Sequence, residues 1–495
     1  MYYIGYDIGS SSVKVAIVEA ATGEKIVAIN EPQEEMEIIA HHKDWAEQDP
    51  EIWWKLICVG TKKAVKEANI DASKITGVGI SYQMHGLVVV DAAGKSLRNS
   101  IIWCDSRAVE IGDKAFAEIG EQKCSEHLLN SPGNFTASKL KWVKENEPEI
   151  YKNIYKYMLP GDFIAFKLTG KITTTKNGLS EGMLWDYKEN KVANWLLDYY
   201  GINQSLTPEI VENFTNQGEL NDKGSQETGL PTGIPVVYRA GDQPNNALSL
   251  NILKLGEVAA TGGTSGVIYA VTDQLKSKET SRINSFVHVN YTNENPTVGK
   301  LLCINGAGIQ YRWLRNIGGL DSYENMNNKA SEIPVGSDGI VVIPFGNGSE
   351  RMLNNQNIDS HILNLNFNKH SHGHLYRAAL EGIAFSFVYG MEILKNDNAE
   401  IKVIRAGNDN LFRSEIFSNT VATLIGHEIE IYNTTGSVGA ARAVGLVDGD
   451  YEKFGQNIMK NDHVMTYLPL KNAEHYKKVY QNWKQELEKI QTHKK

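Results

Sequence analysis

The chain has 495 residues, more than one ordinary hydrophobic core accommodates, so we predict two or three domains. Its residues are 41% hydrophobic and 22% charged, as in globular proteins, and the formal net charge of -9 argues against nucleic acid or an anionic membrane as a partner. No apolar run is long enough to span a bilayer, and MYYIGYDIGS lacks the pattern of a signal peptide, so we expect a cytoplasmic protein. The cysteines have no disulfide or metal-site spacing, which fits a reducing compartment; they are Cys58, Cys104, Cys124 and Cys303.

The first predicted elements are three successive strands. Residues 2–8 alternate and are rich in Tyr and Ile, 9–12 are turn residues, and 13–19 indicate the returning strand. A third strand is predicted after the turn at Gly23. EIWWKLICVGTKKAVKEA, within 50–68, predicts a helix.

The next part of the chain continues this α/β pattern. ITGVGIS, beginning at Ile75, predicts a buried strand, and the QMHG loop at 83–86 follows it. Two further strands are predicted before residue 104. A helix is predicted over 136–157, with Thr136 as its N-cap. Residues 158–240 have a mixed pattern that favours no single assignment.

The opening pattern then returns. EVAATGGTSGVIYAV at 257–271 is again an apolar strand, a Gly/Thr/Ser turn and an apolar strand, which we interpret as a weak internal duplication. A helix is predicted over 374–394, a strand over 401–407, and a strand, Gly turn and helix over 429–447. An amphipathic helix from residue 472 ends the pattern. We therefore predict two halves that pack against a shared cleft.

The turns of the two hairpins are candidate phosphate-binding sites. Glycine lets a phosphate approach the backbone closely, and the neighbouring N–H groups and hydroxyls supply donors. Either turn alone is explained equally well as an ordinary hairpin turn, but one such turn in each half favours phosphate binding. The candidates are Gly9, Ser10 and Ser11 in the first turn and Gly263, Thr264 and Ser265 in the second.

Two carboxylates are candidates for the chemistry. Asp7 ends the first strand beside the first turn; a carboxylate there repels phosphate but can hold Mg²⁺, usually through water. Asp242 follows the apolar strand VVYRAG and precedes a Pro-Asn-Asn turn. At such a strand end a carboxylate can accept the proton of an attacking hydroxyl. The alternative for Asp242 is an Asx-turn residue.

The QMHG loop is a candidate substrate wall. Met84 would supply an apolar surface and His85 would donate a hydrogen bond to a polar substrate, although a single loop histidine is more often structural or solvated. Trp45, Glu47 and Asp49 either line a polyol site or precede a helix.

Three further motifs and one pair have simpler explanations. AAGKS at 92–96 lacks the first glycine of a Walker A motif and joins two strands. HSHGH at 370–374 lacks acidic or Cys partners for a metal, so we expect a polar lead-in to a helix. TTGSVGAA at 434–441 either meets phosphate at a helix start or packs tightly. Arg107, beside Asp105, is explained by a structural ion pair.

Taken together, these segments resemble the FGGY family of carbohydrate kinases. IGYDIGSSSVKVAIV resembles the first phosphate motif, FTASKLKWVKENEPEIY the first signature region, and AGDQPNN the segment that carries the general base. TGGTSG resembles the second phosphate motif, HLYRAALEGIAF the second signature region, and TTGSVGAARAVG the late Gly-Ala helix. DWAEQDPEIWW, QMHG and IIWCDSR are similar to the subgroup that acts on D-xylulose rather than glycerol.

The resemblance implies a fold and a reaction. The fold is the α/β two-domain actin-like ATPase (ribonuclease H-like) fold, with a mixed sheet and flanking helices in each domain and the active site in the interdomain cleft. Residues 1–245 would form the sugar-side domain and residues 246–495 the nucleotide-side domain. ATP and Mg²⁺ would be the cofactors, and the terminal hydroxyl of a ketopentose, foremost D-xylulose, would be phosphorylated by in-line transfer.

The resemblance also implies roles for particular residues. Asp242 would be the catalytic base and Asp7 would lie near Mg²⁺. The sugar would contact Met84, His85, Asp242 and Gln243. ATP would contact the two phosphate turns and, near its adenine, Gly407 and Asn408.

The sequence departs from the family pattern at three places. Gln243 stands where the D-xylulose subgroup usually has Asn, AGNDNLFRSEIF replaces the usual Gly-rich adenosine segment, and Glu350-Arg351 in NGSERM are displaced by one residue. Two alternatives therefore stay open: a family kinase for L-ribulose, L-fuculose, a polyol or glycerol, and a non-catalytic ATP-binding sugar sensor. We expect sugar and ATP as partners, with no nucleic acid and no membrane. The sequence leaves open whether the protein forms a homodimer.

Overall fold

The computed structural model describes residues 1–493 and contains two large mixed sheets, one in each half of the chain. The last two residues of the predicted second domain lie outside this part. The strands are β1 Tyr2–Ile8, β2 Val13–Glu19, β3 Lys25–Glu31, β4 Glu47–Gln48, β5 Ile75–Tyr82, β6 Val88–Val90, β7 Ser100–Ile101, β8 Lys156–Met158, β9 Thr173–Thr175, β10 Trp185–Asp186, β11 Lys191–Val192, β12 Glu209–Val211, β13 Val236–Gly241, β14 Glu257–Gly262, β15 Gly266–Thr272, β16 Asn284–Val287, β17 Val298–Ile304, β18 Val341–Ile343, β19 His361–Leu363, β20 Val403–Gly407, β21 Ile429–Tyr432 and β22 His463–Tyr467.

Helices flank both sheets. They are α1 Pro50–Ala68, α2 Val109–Ile119, α3 Glu121–His127, α4 Thr136–Asn146, α5 Pro148–Lys152, α6 Pro160–Thr169, α7 Lys176–Glu181, α8 Asn194–Tyr200, α9 Asp222–Thr228, α10 Asp242–Ser249, α11 Gly308–Ile317, α12 Tyr323–Ser331, α13 His372–Asn396, α14 Glu415–Ile425, α15 Gly436–Ala443, α16 Tyr451–Asp462 and α17 Ala473–His493.

The first sheet has the strand order β13-β5-β1-β2-β3. β1 and β2 form the predicted antiparallel hairpin, and β5 and β13 then add in parallel on the side of β1. Helix α1 covers this sheet and begins where the sequence favours it, because Asp49 caps it and Pro50 occupies its first turn. The Tyr6 hydroxyl meets Thr61 Oγ1 of α1 at 2.9 Å, so the sheet and the helix are joined inside the core.

The second sheet repeats this arrangement. Its order is β16-β17-β15-β14-β20-β21-β22, in which β14 and β15 form an antiparallel hairpin and β20 and β21 add in parallel. The run β3-β2-β1-β5-β13 thus has a counterpart in β17-β15-β14-β20-β21. The internal duplication predicted from the two hairpins is confirmed and extends to five strands.

Helix α15 of the second half packs on the sheet of the first half. Gly5 of β1 and Gly79 of β5 allow this contact, because a methyl group on either would overlap the backbone oxygen of Ser437 or Ala440. The Gly-Ala segment therefore packs tightly against a sheet, which was one of its two predicted roles. Residues near the end of the sequence thus form the helix that covers this face of the first sheet.

The edge strand β16 is covered by side chains from the first half. Asn130 Oδ1 accepts from the Ser285 N–H at 2.8 Å, and Asn130 Nδ2 donates to the Ser285 carbonyl at 2.7 Å. At Val287, the N–H donates to Ser180 Oγ at 3.0 Å and the carbonyl accepts from Asn177 Nδ2 at 2.9 Å. These side chains satisfy the outward backbone groups that another strand would otherwise pair with.

Two local predictions were wrong. The helix predicted over 136–157 is divided: α4 ends at Asn146, Pro148 starts the short α5, and β8 follows. Proline cannot donate within a helix but is tolerated in a first turn, so it restarts the helix instead of continuing it. Phe135, not Thr136, occupies the N-cap position.

The second error concerns the segment after Asp242. The predicted Pro-Asn-Asn turn is the first part of helix α10, which begins at Asp242. Pro244 is in the first turn, where its missing N–H costs no helical hydrogen bond. The predicted boundary between residues 245 and 246 consequently falls inside α10.

Among residues 1–493, no helix combines the length and the apolar character needed to cross a membrane. The longest, α13, has 25 residues but includes Arg377 and Glu381 on its buried face.

Candidate active site

The carboxyl ends of three neighbouring strands form the floor of the candidate site. β1 ends beside Asp7, β5 leads into the QMHG loop, and β13 is followed at once by Asp242. Asp7 Oδ1 accepts a hydrogen bond of 2.9 Å from Ser81 Oγ, and Asp7 Oδ2 lies 3.7 Å from Lys14 Nζ. Because β1, β5 and β13 are parallel, residues far apart in sequence meet at one sheet edge.

The pKa of Asp242 depends on its burial and on the neighbouring charges. Burial in the cleft raises the pKa of Asp242 to about 7, and the negative charge of Asp7 adds to the rise. Hydrogen bonds from Gln243 and the charge of Lys14 act in the opposite direction. A carboxyl with a pKa near neutrality can both accept and release a proton at physiological pH, as a general base must.

The residues around Asp7 fit a magnesium ion. Gly436, the first residue of α15, lies so close that a Cβ atom there would be 2.6 Å from Asp7 Oδ2, so the backbone leaves room only at a glycine. Within the described residues, no group of three or more His, Cys, Asp or Glu side chains forms a complete protein metal site. One or two carboxylates are what Mg²⁺ uses when water and phosphate oxygens supply its remaining ligands.

The first phosphate turn is held in place from several sides. The Gly9 N–H donates to the Ser12 carbonyl at 2.9 Å, and Gln48 Nε2 donates to the Ser10 carbonyl at 2.7 Å. The half-exposed indole of Trp103 reaches Ser10 Oγ at 3.4 Å. Ser11 at the tip is exposed, so its backbone and hydroxyl are available to a ligand.

The second phosphate turn is exposed at its tip and anchored at its base. Thr264 and Ser265 are exposed. The carbonyls of Gly263 and Thr264 accept from Gly308 and Ile309 at 3.1 and 3.0 Å, which fixes the turn to the start of α11. The two turns thus lie at corresponding positions of the two sheets.

The predicted nucleotide residues lie next to this second turn. Gly407 ends β20, and the Asn408 N–H donates to the Tyr432 carbonyl of the neighbouring strand at 2.8 Å. A Cβ atom on Gly262 would be 3.0 Å from Leu411, so the segment after β20 packs directly on the hairpin. The atypical adenosine segment and the second phosphate turn are therefore brought together.

His85 occupies a strained part of the predicted sugar wall, with a φ of 63°. Its Nδ1 is 2.9 Å from the Glu181 carbonyl oxygen, which can only accept, so Nδ1 carries the proton. Burial lowers the pKa of His85 to about 3, and the charge of Lys139 contributes, so the ring is neutral. Nε2 is then a hydrogen-bond acceptor; the expected donor role at this position is corrected accordingly.

Lys139 holds the QMHG loop. Its Nζ donates to the carbonyls of His85 and Ile102, each at 2.9 Å, and burial lowers its pKa to about 8. The residue lies in the segment FTASKLK, which resembles the first signature region but predicts no role for Lys139. A lysine in an amphipathic helix gives no local sign that its ammonium group is buried.

Aromatic rings from both halves surround His85. Its ring centroid is 4.7 Å from that of Phe135 and 5.4 Å from that of Phe286, which belongs to β16 of the second sheet. Met84 is buried beside them. The second half thus contributes to the predicted sugar wall. No local sequence signal identifies Phe286, because its position depends on the docking of β16.

The segment DWAEQDP has a structural role. Arg107 lies over the rings of Trp45 and Trp142, at 3.9 and 4.7 Å from their centroids, and pairs with Asp105 at 2.7 Å. Glu47 pairs with the same arginine at 2.7 Å. Asp49 caps α1, so the segment leads into a helix, which was one of its two predicted roles.

Two other motifs have local structural roles. His374 bonds back to Ser371 at the start of α13, as expected for a polar lead-in to a helix. The carboxylate of Glu350 accepts from the N–H groups of Asn305 and Gly306, and burial raises its pKa to about 7.

Comparisons with known proteins agree on one family. The model of the FGGY family of carbohydrate kinases matches with its N-terminal domain over residues 2–249 and its C-terminal domain over residues 258–444. A xylulose kinase of Bacillus subtilis is 27% identical, with 100% of this chain and 97% of the relative covered. A xylulose kinase of Escherichia coli is 28% identical, with 89% and 88% covered.

Solved structures share the two-domain architecture. The xylulose kinase of Rhodospirillum rubrum has a TM-score of 0.88 at 23% identity, with 99% of both chains covered. The glycerol kinase of Plasmodium falciparum with ADP also has a TM-score of 0.88, at 20% identity, with 99% of this chain and 98% of the other covered. Two kinases named for different substrates fit equally well, so the fold alone does not select the sugar.

Proposed function

This chain belongs to the FGGY family of carbohydrate kinases, and we propose that it transfers the γ-phosphate of ATP to the terminal hydroxyl of D-xylulose. The observation that carries the proposal is Asp242, a carboxyl with a pKa of about 7 at the end of β13, beside Asp7 and the predicted sugar wall. Such a group is suited to accept the proton of an attacking hydroxyl.

In the proposed reaction, Asp242 orients the sugar hydroxyl and accepts its proton as the oxygen attacks the γ-phosphorus in line. The N–H groups and hydroxyls of the two hairpin turns bind the phosphates from opposite sheets. Mg²⁺, when bound near Asp7, would offset the negative charge of the phosphates. Closure of the cleft would exclude water, which otherwise competes with the sugar as acceptor.

The sugar assignment has separate support. The relatives from B. subtilis and E. coli are named xylulose kinases, and QMHG and DWAEQDPEIWW are similar to that subgroup. His85 Nε2 offers an acceptor to a sugar hydroxyl, and Gln243 offers an amide next to the base. We also propose that residues 1–245 bind mainly the sugar and residues 246–495 mainly the nucleotide, in a cytoplasmic enzyme.

The test is the release of ADP by the purified full chain with ATP and Mg²⁺. D-xylulose is compared with D-ribulose, L-ribulose, L-fuculose, glycerol and no sugar. We expect the highest kcat/KM with D-xylulose. A higher kcat/KM with another ketose or polyol would identify that compound as the preferred substrate. Gln243→Asn would then be the first variant to test. ATP binding without release by any sugar would overturn the proposal in favour of a sensor.

A further inference from the structure

The strongest feature that the proposed reaction leaves without a role is the buried ammonium group of Lys139. The residue lies on α4 and is 0% exposed. Burial lowers its pKa, and Asp105 is foremost among the charges that act in the opposite direction. Within residues 1–493 Lys139 forms no ion pair, because Asp105 pairs with Arg107 at 2.7 Å. Taking a charge out of water is costly, so a lysine buried in this way indicates a specific use for its hydrogen bonds.

Those hydrogen bonds join two segments that both reach the candidate site. Lys139 Nζ donates to the carbonyl of His85 in the QMHG loop and to the carbonyl of Ile102, each at 2.9 Å. The residue after Ile102 is Trp103, whose indole reaches Ser10 Oγ in the first phosphate turn. One ammonium group therefore fixes the predicted sugar wall relative to the segment that contacts the phosphate turn.

Other residues at the start of α4 hold the same loop. Thr136 Oγ1 donates to the carbonyl of Gly86 at 3.3 Å. The Phe135 ring lies edge-on to the His85 ring, with the centroids 4.7 Å apart. Residues three apart lie on the same face of a helix, as Thr136 and Lys139 do. Two successive carbonyls of the loop thus bond to one face of α4, which gives the FTASK segment a physical role.

His85 is the residue of the loop that most needs such support. Its φ of 63° is a left-handed conformation that non-glycine residues seldom adopt, and such strain persists only where the surrounding structure enforces it. Its Nδ1 bonds the Glu181 carbonyl, and its own carbonyl bonds Lys139. The side chain is still 21% exposed, so a ligand can reach the ring. Because Nδ1 is engaged, Nε2 is the ring nitrogen that can accept from a sugar hydroxyl.

We propose that Lys139 is a positioning residue for the sugar: by holding the His85 and Ile102 carbonyls together, it sets the direction in which the His85 ring meets a sugar hydroxyl. Thr136 assists by holding the next carbonyl of the loop. The inference rests on the proposed function and deepens its sugar site. Lys139 is enclosed and touches neither substrate, so its effect reaches the sugar through His85 and leaves the nucleotide unaffected.

The first experiment compares three full-length variants. Lys139→Met keeps the length of the side chain without its charge and donors, and Thr136→Val keeps the shape without the hydroxyl. Lys300→Met is the control, because it removes an equally buried ammonium group that pairs with Asp397 in the second half. We expect Lys139→Met to raise the sugar KM roughly tenfold and Thr136→Val about threefold, with the KM for ATP within twofold. Lys300→Met should change only the melting temperature.

Two results of this comparison would overturn the inference. One is a folded Lys139→Met whose sugar KM is unchanged, or whose KM for ATP rises as much as that for the sugar. The other applies if Lys139→Met does not fold, and it is an unchanged sugar KM in Thr136→Val.

The second experiment tests whether Lys139 acts through His85. The sugar KM is measured at saturating ATP for His85→Ala, Lys139→Met and the double variant. The double variant should differ from His85→Ala by less than about threefold, because the ring that Lys139 positions is already absent. A rise equal to the product of the two separate factors would show that Lys139 acts independently and would refute the inference. If the wild type releases no ADP with any sugar, the proposed function fails instead, and sugar affinity from calorimetry replaces KM in the same comparisons.

Discussion

The two halves have the same strand arrangement but different residues at the strand ends. In the first half, Asp7 is the next-to-last residue of β1, and Asp242 directly follows β13. At the corresponding places in the second half, Thr261 precedes the end of β14, and Asn433 follows β21. Both acidic positions of the first half are therefore neutral in the second.

We propose that this difference assigns the acid–base chemistry to the first half and phosphate binding without a nearby carboxylate to the second half. Burial and, after it, the nearby charge of Asp7 raise the pKa of Asp242, which makes this residue a base near neutral pH. A carboxylate at Thr261 would instead repel the polyphosphate that the second turn is proposed to bind. The four predictions below test this separation.

The largest effect should come from removing the carboxyl group of Asp242 in the first half. Asp242→Asn should lower kcat by about 10²–10⁴-fold, because the amide cannot accept the proton, while sugar binding persists. Turnover and sugar affinity are measured separately, by ADP release and calorimetry. Asn433→Asp serves as the matched control and should leave a folded enzyme. Turnover of Asp242→Asn within tenfold of the wild type would contradict the division.

The next effect should come from adding an acid to the second half. Thr261→Asp should raise the KM for ATP about tenfold, because its charge would face the nucleotide phosphates. Asn246 Nδ2 donates to Thr261 Oγ1 at 3.3 Å, and an aspartate side chain would keep an acceptor at this place. The neutral Thr261→Asn is the control, with less than a threefold change. Equal effects of the two substitutions would indicate that space, not charge, matters at this turn.

A third prediction concerns pH. With the pKa of Asp242 at about 7, kcat/KM for the sugar should fall tenfold for each pH unit below this value, because the protonated base is inactive. Asp7→Asn should move the midpoint to lower pH and Lys14→Met to higher pH, since these charges act in opposite directions. Rate profiles between pH 5 and 9 test this. Midpoints that coincide in all three proteins would disprove the coupling.

The smallest effect should appear in stability. The pKa of Asp242 is raised on folding, so its contribution to the free energy of unfolding is complete below its usual pKa and is lost as pH rises through about 7. Melting temperatures should therefore decrease from pH 5 to 8. Asp242→Asn should reduce part of this slope. The carboxyl group of Glu350 also has a pKa of about 7, so Glu350→Gln should reduce another part. Parallel curves for wild type and variants would refute the assignment.

The parts of the site predicted from sequence are those with local signals. Both hairpins, Asp7, Asp242 and the QMHG loop stand at strand ends with recognisable turns. Glu181 lies in the segment 158–240, which has no clear periodicity. Its surroundings come from packing between elements distant in the sequence, and no local pattern encodes those contacts.

The packing of α15 on the first sheet has a consequence for synthesis on the ribosome. The strands of that sheet are complete at Gly241, but the helix that covers the face near Gly5 and Gly79 ends at Ala443. About two hundred residues are translated in between, at a rate on the order of 5–20 residues per second. The nascent first half therefore waits roughly ten to forty seconds with this face uncovered, and it is a natural client for a chaperone.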